Sequence, residues 1–238
     1  MSGETEIKDE KKRFRRTKAA IEHDVLEAVG SLIEEVGFAN ITLTGVAERA
    51  KIEPAVFYRR FANLDELFSK YTQKYDYWLG SLAENLPRNT SEEDSYKWIM
   101  DNLISALLKN KGMQQLLIWE LSEDNHTTRR TTKLREIVNE PLIRMLEKTF
   151  ANTGLDINVL AAMMIAGIYY LVLNRKRSTF CDVDFNSKTG KDRLREGVSQ
   201  LSTLLFAQIN KQNEMLKIAE NLRNEGVSEE IIAKCLKL

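Results

Sequence analysis

The sequence predicts an all-α protein, and three observations support this fold class. Only three prolines and eleven glycines occur among 238 residues, so few positions would break a helix. Apolar residues recur at three- and four-residue spacing in most segments, which places them on one face of a helix. No segment alternates apolar and polar residues in a sustained way, and no hairpin turn separates two apolar runs.

The N-terminal segment contains three predicted helices with clear boundary signals. Gly37 is placed to end the first helix, and Thr42 can cap the second helix through its hydroxyl. Pro54 suits the first turn of the third helix, because its missing N–H has no helical partner there. The predicted helices cover residues 17–36, 43–50 and 54–61.

The rest of the chain also follows a helical pattern. Pro87 ends one predicted helix, Pro141 is expected to interrupt or kink another, and Gly226 divides the tail. The apolar run 159–173 has about 15 residues, fewer than the roughly 18–20 of a membrane span, and predicts a buried core helix. The expected helices cover residues 64–86, 91–110, 113–121, 127–150, 157–177 and 190–212, with two short helices in 215–238.

The composition excludes several classes of protein. Two cysteines far apart and only two histidines exclude zinc-finger spacings and a secreted disulfide framework. The sequence has no glycine-rich phosphate loop, no nucleophile elbow and no metal-ligand spacing, so we expect no enzyme, metal or cofactor. The polar, charged N-terminus is unlike a signal peptide, which predicts a cytoplasmic protein without a membrane partner.

Residues 41–61 are expected to form a helix-turn-helix. Two short helices that are joined by a tight turn and packed on a longer first helix can lay the last helix in a DNA major groove, about 12 Å wide. The predicted core of this unit consists of Leu43, Val46, Ala47, Ala50, Ile52, Val56, Phe57 and Phe61.

Residues 20–70 resemble the TetR family of bacterial one-component transcriptional regulators. The family pattern has a glycine after the first helix, a threonine, an apolar-Ala pair and a second alanine. It closes with Tyr-x-His-Phe and an acidic-x-Leu start to the fourth helix. The corresponding residues here are Gly37, Thr42, Val46, Ala47, Ala50, Tyr58, Arg59, Arg60, Phe61, Asp65, Glu66 and Leu67.

The sequence departs from the family pattern at three places. Arg60 replaces the usual histidine, and arginine also contacts phosphate. Leu64 replaces a lysine, which removes one phosphate contact. Glu53 and Ala55 replace the usual serine and glycine of the turn, so the operator sequence does not follow from relatives.

The resemblance implies which residues contact DNA. The hydroxyls of Thr42 and Tyr58 would bond phosphates, although Tyr58 could instead pack on the first helix. Glu53 could accept a hydrogen bond from a cytosine or serve an intrahelical role. The arginines would pair with phosphate or base edges, and the first residues of the recognition helix would lie against bases. The predicted DNA-binding residues are Lys12, Arg13, Arg15, Arg16, Thr42, Thr44, Glu53, Pro54, Ala55, Tyr58, Arg59 and Arg60.

A basic run precedes the first helix. The whole chain has 35 basic and 35 acidic residues and no net charge, which by itself counts against DNA binding. Residues 11–18, however, carry six positive charges, so positive charge is concentrated where DNA would bind. Such an arm can follow phosphates or enter the adjacent minor groove. A solvated tail without contact to DNA is the alternative.

For the larger domain, the resemblance implies a homodimer and a small-molecule effector pocket. The apolar stripes on residues 157–177 and 190–212 fit a dimer interface, because a face without an intrachain partner is best buried on a symmetry mate. No charged cluster on an apolar face indicates an ionic ligand, so we expect a hydrophobic, uncharged effector. Candidate pocket residues, which could equally be core, are Trp78, Trp98, Trp119, Phe150, Met163, Met164, Tyr169 and Tyr170.

Together these expectations describe a repressor that binds a palindromic operator in double-stranded DNA as a dimer, at the bacterial nucleoid, and is released by an effector. Leu64 and the neutral charge leave an alternative, a helical protein-docking module whose helix-turn-helix no longer binds DNA. The predicted domains are a flexible basic arm (1–18), a helix-turn-helix DNA-binding domain (19–66), an effector-binding and dimerisation domain (67–212) and a helical extension (213–238).

Overall fold

The computed structural model describes residues 16–76, 86–87 and 89–236. These residues confirm the all-α class, since extended pairing among them is confined to one isolated bridge between Phe180 and Val183. They divide into two compact units, one that ends at Tyr71 and one that begins at Thr72.

The described part of the N-terminal unit, from residue 16 onward, is built on four helices. Thr17 caps α1 by accepting from the amide of Ala20, and Gly37 ends it with a φ of 77°. The third helix is shorter than the expected 54–61, because the chain turns at Arg59. The helices are α1 (Lys18–Val36), α2 (Leu43–Ala50), α3 (Pro54–Tyr58) and α4 (Leu64–Thr72), with a 3₁₀ turn at Phe38–Asn40.

Aliphatic and aromatic side chains form the core of this unit. Phe38 meets Phe68 edge-on with ring centroids 5.3 Å apart, and Tyr71 at 6.1 Å. Gly30 allows this approach, since a Cβ there would lie 2.9 Å from Cε2 of Tyr71. The fully or almost fully buried residues include Val25, Val29, Ile33, Val46, Phe57, Phe61 and Leu67.

The larger unit contains six further helices in its described part. A 3₁₀ turn, Gln73–Tyr75, follows α4, and residues 77–85 of the helix expected over 64–86 lie outside the described residues. The helices are α5 (Glu92–Lys109), α6 (Lys111–Ser122), α7 (His126–Phe150), α8 (Ile157–Asn174), α9 (Lys188–Asn224) and α10 (Glu229–Leu236).

One predicted helix end in this unit is wrong, and the interruption that was one of two expectations at Pro141 does not occur. Helix α7 continues through Pro141 without interruption. Helix α9 does not end at residue 212 but runs to Asn224, because the intervening residues are good helix formers and glycine is absent until Gly226, where φ is 81°. The first part of the predicted extension is therefore a continuation of α9.

Helix α5 lies at the centre of the larger unit. Its side chains Tyr96, Leu103, Ile104 and Leu107 are buried. Phe206 of α9 contacts Tyr96 with ring centroids 5.9 Å apart, and the α7 residue Phe150 at 5.0 Å. These rings join three helices into one core.

Helix α8 is not the buried core helix that its composition predicts. Only Ile157, Ile168 and Val172 of its 18 residues are buried. Its mean hydropathy of 1.8 and its length would allow it to cross a membrane, and 17% of it is buried within the chain. The helix is apolar on every side, whereas only one side packs into the unit, so an apolar face stays exposed.

Candidate nucleic-acid interface and surfaces of the larger unit

The turn between α2 and α3 has the geometry of a helix-turn-helix. The α2 helix ends at Ala50, and Lys51 adopts a left-handed conformation with φ 54° and ψ 50°. The amide of Ile52 donates to the carbonyl of Ala47 at 3.0 Å, which closes the turn. Pro54 then begins α3, as the sequence predicts.

Helix α3 has one buried side and one exposed side. Phe57 is fully buried and anchors the helix in the unit. Pro54, Ala55 and Arg59 are exposed, and Tyr58 is 60% exposed. The Tyr58 ring contacts Phe57 edge-on at 5.8 Å, so this exposed tyrosine packs against the buried anchor of the helix.

The hydroxyl of Thr42 has two uses. It accepts a hydrogen bond from the amide of Gly45 at 3.1 Å, which caps α2. Because a hydroxyl also carries one donor hydrogen, the same group can donate to a phosphate oxygen. Thr44 and Glu53 are exposed nearby in the sequence, and the Glu53 side chain makes no capping bond to α3.

Arg16 binds the protein itself. Its guanidinium donates to Asp24 at 3.1 Å and to the carbonyl of Ala50 at 3.2 Å. This contact holds the end of the basic run against the C-terminus of α2, directly before the turn. The other predicted arm residues, Lys12, Arg13 and Arg15, lie outside the described residues.

The loop after the recognition helix is held by reciprocal capping bonds. The amide of Glu66 donates to Oδ1 of Asn63 at 2.9 Å. The amide of Ala62 donates to Oε2 of Glu66 at 2.7 Å. These bonds satisfy free amides at the start of α4. Arg60, which precedes them in the chain, is half-buried.

The candidate effector residues divide between the interior and the surface of the larger unit. Trp119 and Phe150 are buried, whereas Met163 and Tyr170 are exposed. Trp98, Met164 and Tyr169 are half-buried, and Trp78 lies outside the described residues. Met164 accepts a weak hydrogen bond from the Tyr96 hydroxyl, with 3.7 Å between oxygen and sulfur.

An exposed apolar groove runs between α8 and α9. Met163 is 66% and Leu204 65% exposed, and the groove encloses about 490 Å³. At Gly167 and Gly197, no described atom outside the adjacent residues and the helix's own backbone lies within 4 Å of where a Cβ would be. The lining residues are Met163, Met164, Gly167, Ile168, Leu171, Phe185, Arg193, Leu194, Gly197, Val198, Gln200, Leu201 and Leu204. We call this surface the α8–α9 face.

The expected stripe on α9 is split between the two sides of that helix. Leu194 and Val198 are buried, whereas Leu201 is exposed. The exposed side therefore follows Gly197, Leu201 and Leu204 rather than the whole predicted stripe. The helix carries apolar residues on two adjacent faces, and the pattern alone does not say which face the core covers.

Sequence reasoning missed two polar groups in the larger unit. Arg130 of α7 donates to Asp76 at 2.9 Å and to the Thr72 hydroxyl at 2.9 Å. Arg135 of α7 pairs with Glu120 of α6. Neither pair has the spacing of neighbours on one helix. The sequence signal for these polar groups was the threonine-rich start of α7. Three of these threonines are buried in the structure, Thr127, Thr128 and Thr131.

Known proteins resemble this chain in two ways: in the sequence of the N-terminal unit and in the fold of most of the chain. Residues 25–71 match the family described as bacterial regulatory proteins, tetR family. The search of curated proteins found no match.

The structural matches extend over most of the chain. The TetR-like transcriptional regulator from Rhodococcus sp. RHA1 is 14% identical, with a TM-score of 0.58 over 81% of this chain and 99% of that one. Salmonella enterica GusR is 11% identical, with a TM-score of 0.59 over 80% and 97%. The fatty acid degradation regulator FadR from Bacillus halodurans is 16% identical, with a TM-score of 0.57 over 79% and 96%. These similarities show a shared fold and confirm the TetR resemblance.

Proposed function

We propose that this chain, which carries a TetR-family domain at residues 25–71 and the fold of TetR-type transcriptional regulators, represses transcription by binding a palindromic operator as a homodimer. It catalyses no reaction, and a small molecule releases it from DNA. The observation that carries this proposal is the two-sided α3 helix, in which Phe57 is buried while Pro54, Ala55 and Tyr58 face outward.

The DNA contacts follow from that geometry. The hydroxyls of Tyr58 and Thr42 donate to phosphate oxygens, and Arg59 and Arg60 pair with phosphates or base edges. The start of α3 lies against bases, with Thr44 and Glu53 beside it. Arg16 holds the chain just before α1 against the C-terminus of α2 through its bond to the Ala50 carbonyl. Lys12, Arg13 and Arg15 add positive charge that pairs with DNA phosphates.

The homodimer forms through the α8–α9 face. Large apolar side chains there are exposed in the single chain, and burying such a patch is favourable at about 25 cal/mol per Å². A glycine inside a helix costs roughly 0.5–1 kcal/mol relative to alanine, yet no intrachain contact excludes a side chain at Gly167 or Gly197. A second copy that approaches closely accounts for both glycines. The two recognition helices would then reach half-sites about 34 Å apart, or a multiple of that distance.

The test is a fluorescence anisotropy titration with duplexes selected for binding from a random pool. We expect a palindromic consensus and an affinity that falls steeply with salt, since each phosphate contact contributes nearly one log unit per log unit of salt. Binding without sequence preference, or no binding at low salt, would contradict the proposal and favour a protein-docking module.

A further inference from the structure

A buried polar cluster lies between α6, α7 and α8 of the larger unit. Arg135 donates from Nη2 to both carboxylate oxygens of Glu120, at 2.7 and 2.8 Å. The Thr131 hydroxyl donates to Oε1 of Glu120 at 2.6 Å. The side chains of Glu120 and Arg135 are only 7% and 17% exposed. Together with Tyr169 of α8 they form what we call the Tyr169 cluster.

Tyr169 is the unusual member. Its hydroxyl oxygen is buried and has no hydrogen-bond partner among the residues that the structure describes. Burial raises the pKa of its phenol, which also feels the charges of Arg135, Glu120 and Glu136. The group is therefore a protonated hydrogen-bond donor within electrostatic reach of Glu120 and Arg135.

Internal structure does not account for that hydroxyl. A buried polar group without a partner is unfavourable, and such groups are rare in folded proteins. Phenylalanine would fill the same volume without this cost. Tyr96, the comparable phenol on α5, does have a partner, the sulfur of Met164. A donor that is left open inside the unit is best explained by a ligand atom that accepts from it.

The charges of the cluster indicate the chemistry of that ligand. Glu120 and Arg135 satisfy each other through two hydrogen bonds, so the cluster offers no unpaired charge to an ion. A carboxylate would have to compete with Glu120 for Arg135, and an ammonium group with Arg135 for Glu120. A carbonyl or hydroxyl oxygen needs only the open Tyr169 hydroxyl.

We propose that the Tyr169 cluster is the polar end of the effector site and binds an uncharged hydrogen-bonding head group, such as an amide, ketone or alcohol. The inference rests on the proposed function insofar as the ligand is the effector of a regulator. It adds a hydrogen-bonding group to an effector that the sequence predicts to be hydrophobic and uncharged.

The test compares probes that share a phenyl ring and differ in the head group: benzamide, benzoate, benzylammonium and toluene. Binding to the full chain is measured by thermal shift and calorimetry. We expect benzamide to raise the melting temperature most, and Tyr169→Phe to weaken benzamide binding at least tenfold. Thr132→Val, which removes an exposed hydroxyl from α7 outside the cluster, should bind benzamide like the wild type.

The unliganded variant provides a second readout. Tyr169→Phe should melt no lower than the wild type, because it removes an unpaired buried hydroxyl, whereas a structural role would lower the melting temperature. The proposal is overturned if a charged probe or toluene stabilises the chain more than benzamide does, if no probe binds, or if Tyr169→Phe binds benzamide unchanged.

A parallel titration with DNA separates this proposal from the proposed function. Benzamide binding that depends on Tyr169, in a chain that fails to bind DNA, would refute the regulator and support the ligand site. Normal DNA binding without any binding of benzamide would refute the ligand site alone.

Discussion

Arg49 of α2 holds the carboxylate of Glu35 on α1 through two hydrogen bonds, of 2.7 and 2.8 Å. The same guanidinium donates to the hydroxyl of Ser31 at 2.6 Å. This bidentate contact joins the first helix of the helix-turn-helix to the long helix beneath it. Because it links α1 to α2, we call this contact the brace of the helix-turn-helix.

The brace predicts a pH dependence of stability. The hydrogen bond from Arg49 lowers the pKa of Glu35 from 4.5 to about 2. A carboxylate with a depressed folded-state pKa stabilises the native state above its unfolded pKa and loses that effect as the pH falls through the folded value. The contribution of Glu35 is therefore complete above pH 4.5 and declines between pH 4.5 and 2.

Urea unfolding of Glu35→Gln measures this effect. The variant should be less stable than the wild type at pH 7, and the difference should shrink as the pH approaches 2. Glu34→Gln, an exposed neighbour on the same helix, is the matched control. A stability difference that stays constant over this pH range would show that Glu35 is not the titrating group.

The recognition face predicts two losses of DNA affinity. Tyr58→Phe removes a phosphate donor and Arg60→Ala removes a cation, so each should weaken operator binding by roughly 1–3 kcal/mol. Arg144→Ala removes an exposed arginine from the larger unit and should leave affinity unchanged. Anisotropy titrations give the affinities, and circular dichroism checks the fold. Wild-type affinity in both interface variants would refute the assignment of this face.

The α8–α9 face predicts that one charge breaks the homodimer. Leu204 is 65% exposed in the single chain, so Leu204→Glu should fold normally but sediment as a monomer in analytical ultracentrifugation. Leu121→Glu places the same charge at a leucine that is 82% exposed on α6, outside the face, and should remain dimeric. The interface lies elsewhere if Leu204→Glu is still a dimer.

Replacing Gly30 by alanine should lower stability, whereas the same replacement inside a helix usually raises it. Alanine would gain about 1 kcal/mol in helix propensity, but its Cβ would lie 2.9 Å from the ring of Tyr71. Overpacking of a core typically costs about 1–3 kcal/mol, so Gly30→Ala should lower the melting temperature. Tyr71→Leu should reduce this loss in the double variant. A melting temperature that rises in Gly30→Ala would contradict the close packing of α1 and the Tyr71 ring.

Residues 42–58 show how much the sequence could determine. Three residues here have roles that involve only neighbours within three or four positions in the chain: a helix cap (Thr42), a turn residue (Lys51) and a first helical residue (Pro54). Such local bonds leave a pattern in the sequence. For this reason the bounds of α2 and the start of α3 are those predicted, and the family resemblance could be recognised from the same residues.

Only the tertiary structure decided the larger unit. The members of the Tyr169 cluster lie on three different helices: Glu120 on α6, Arg135 on α7 and Tyr169 on α8. Helical periodicity does not predict contacts between residues so far apart in sequence. Helix α8 is apolar on all sides. The residue types therefore do not distinguish the side that packs against α5 from the side that stays exposed. Contacts between distant segments depend on how helices pack, which the local propensities of each helix do not specify.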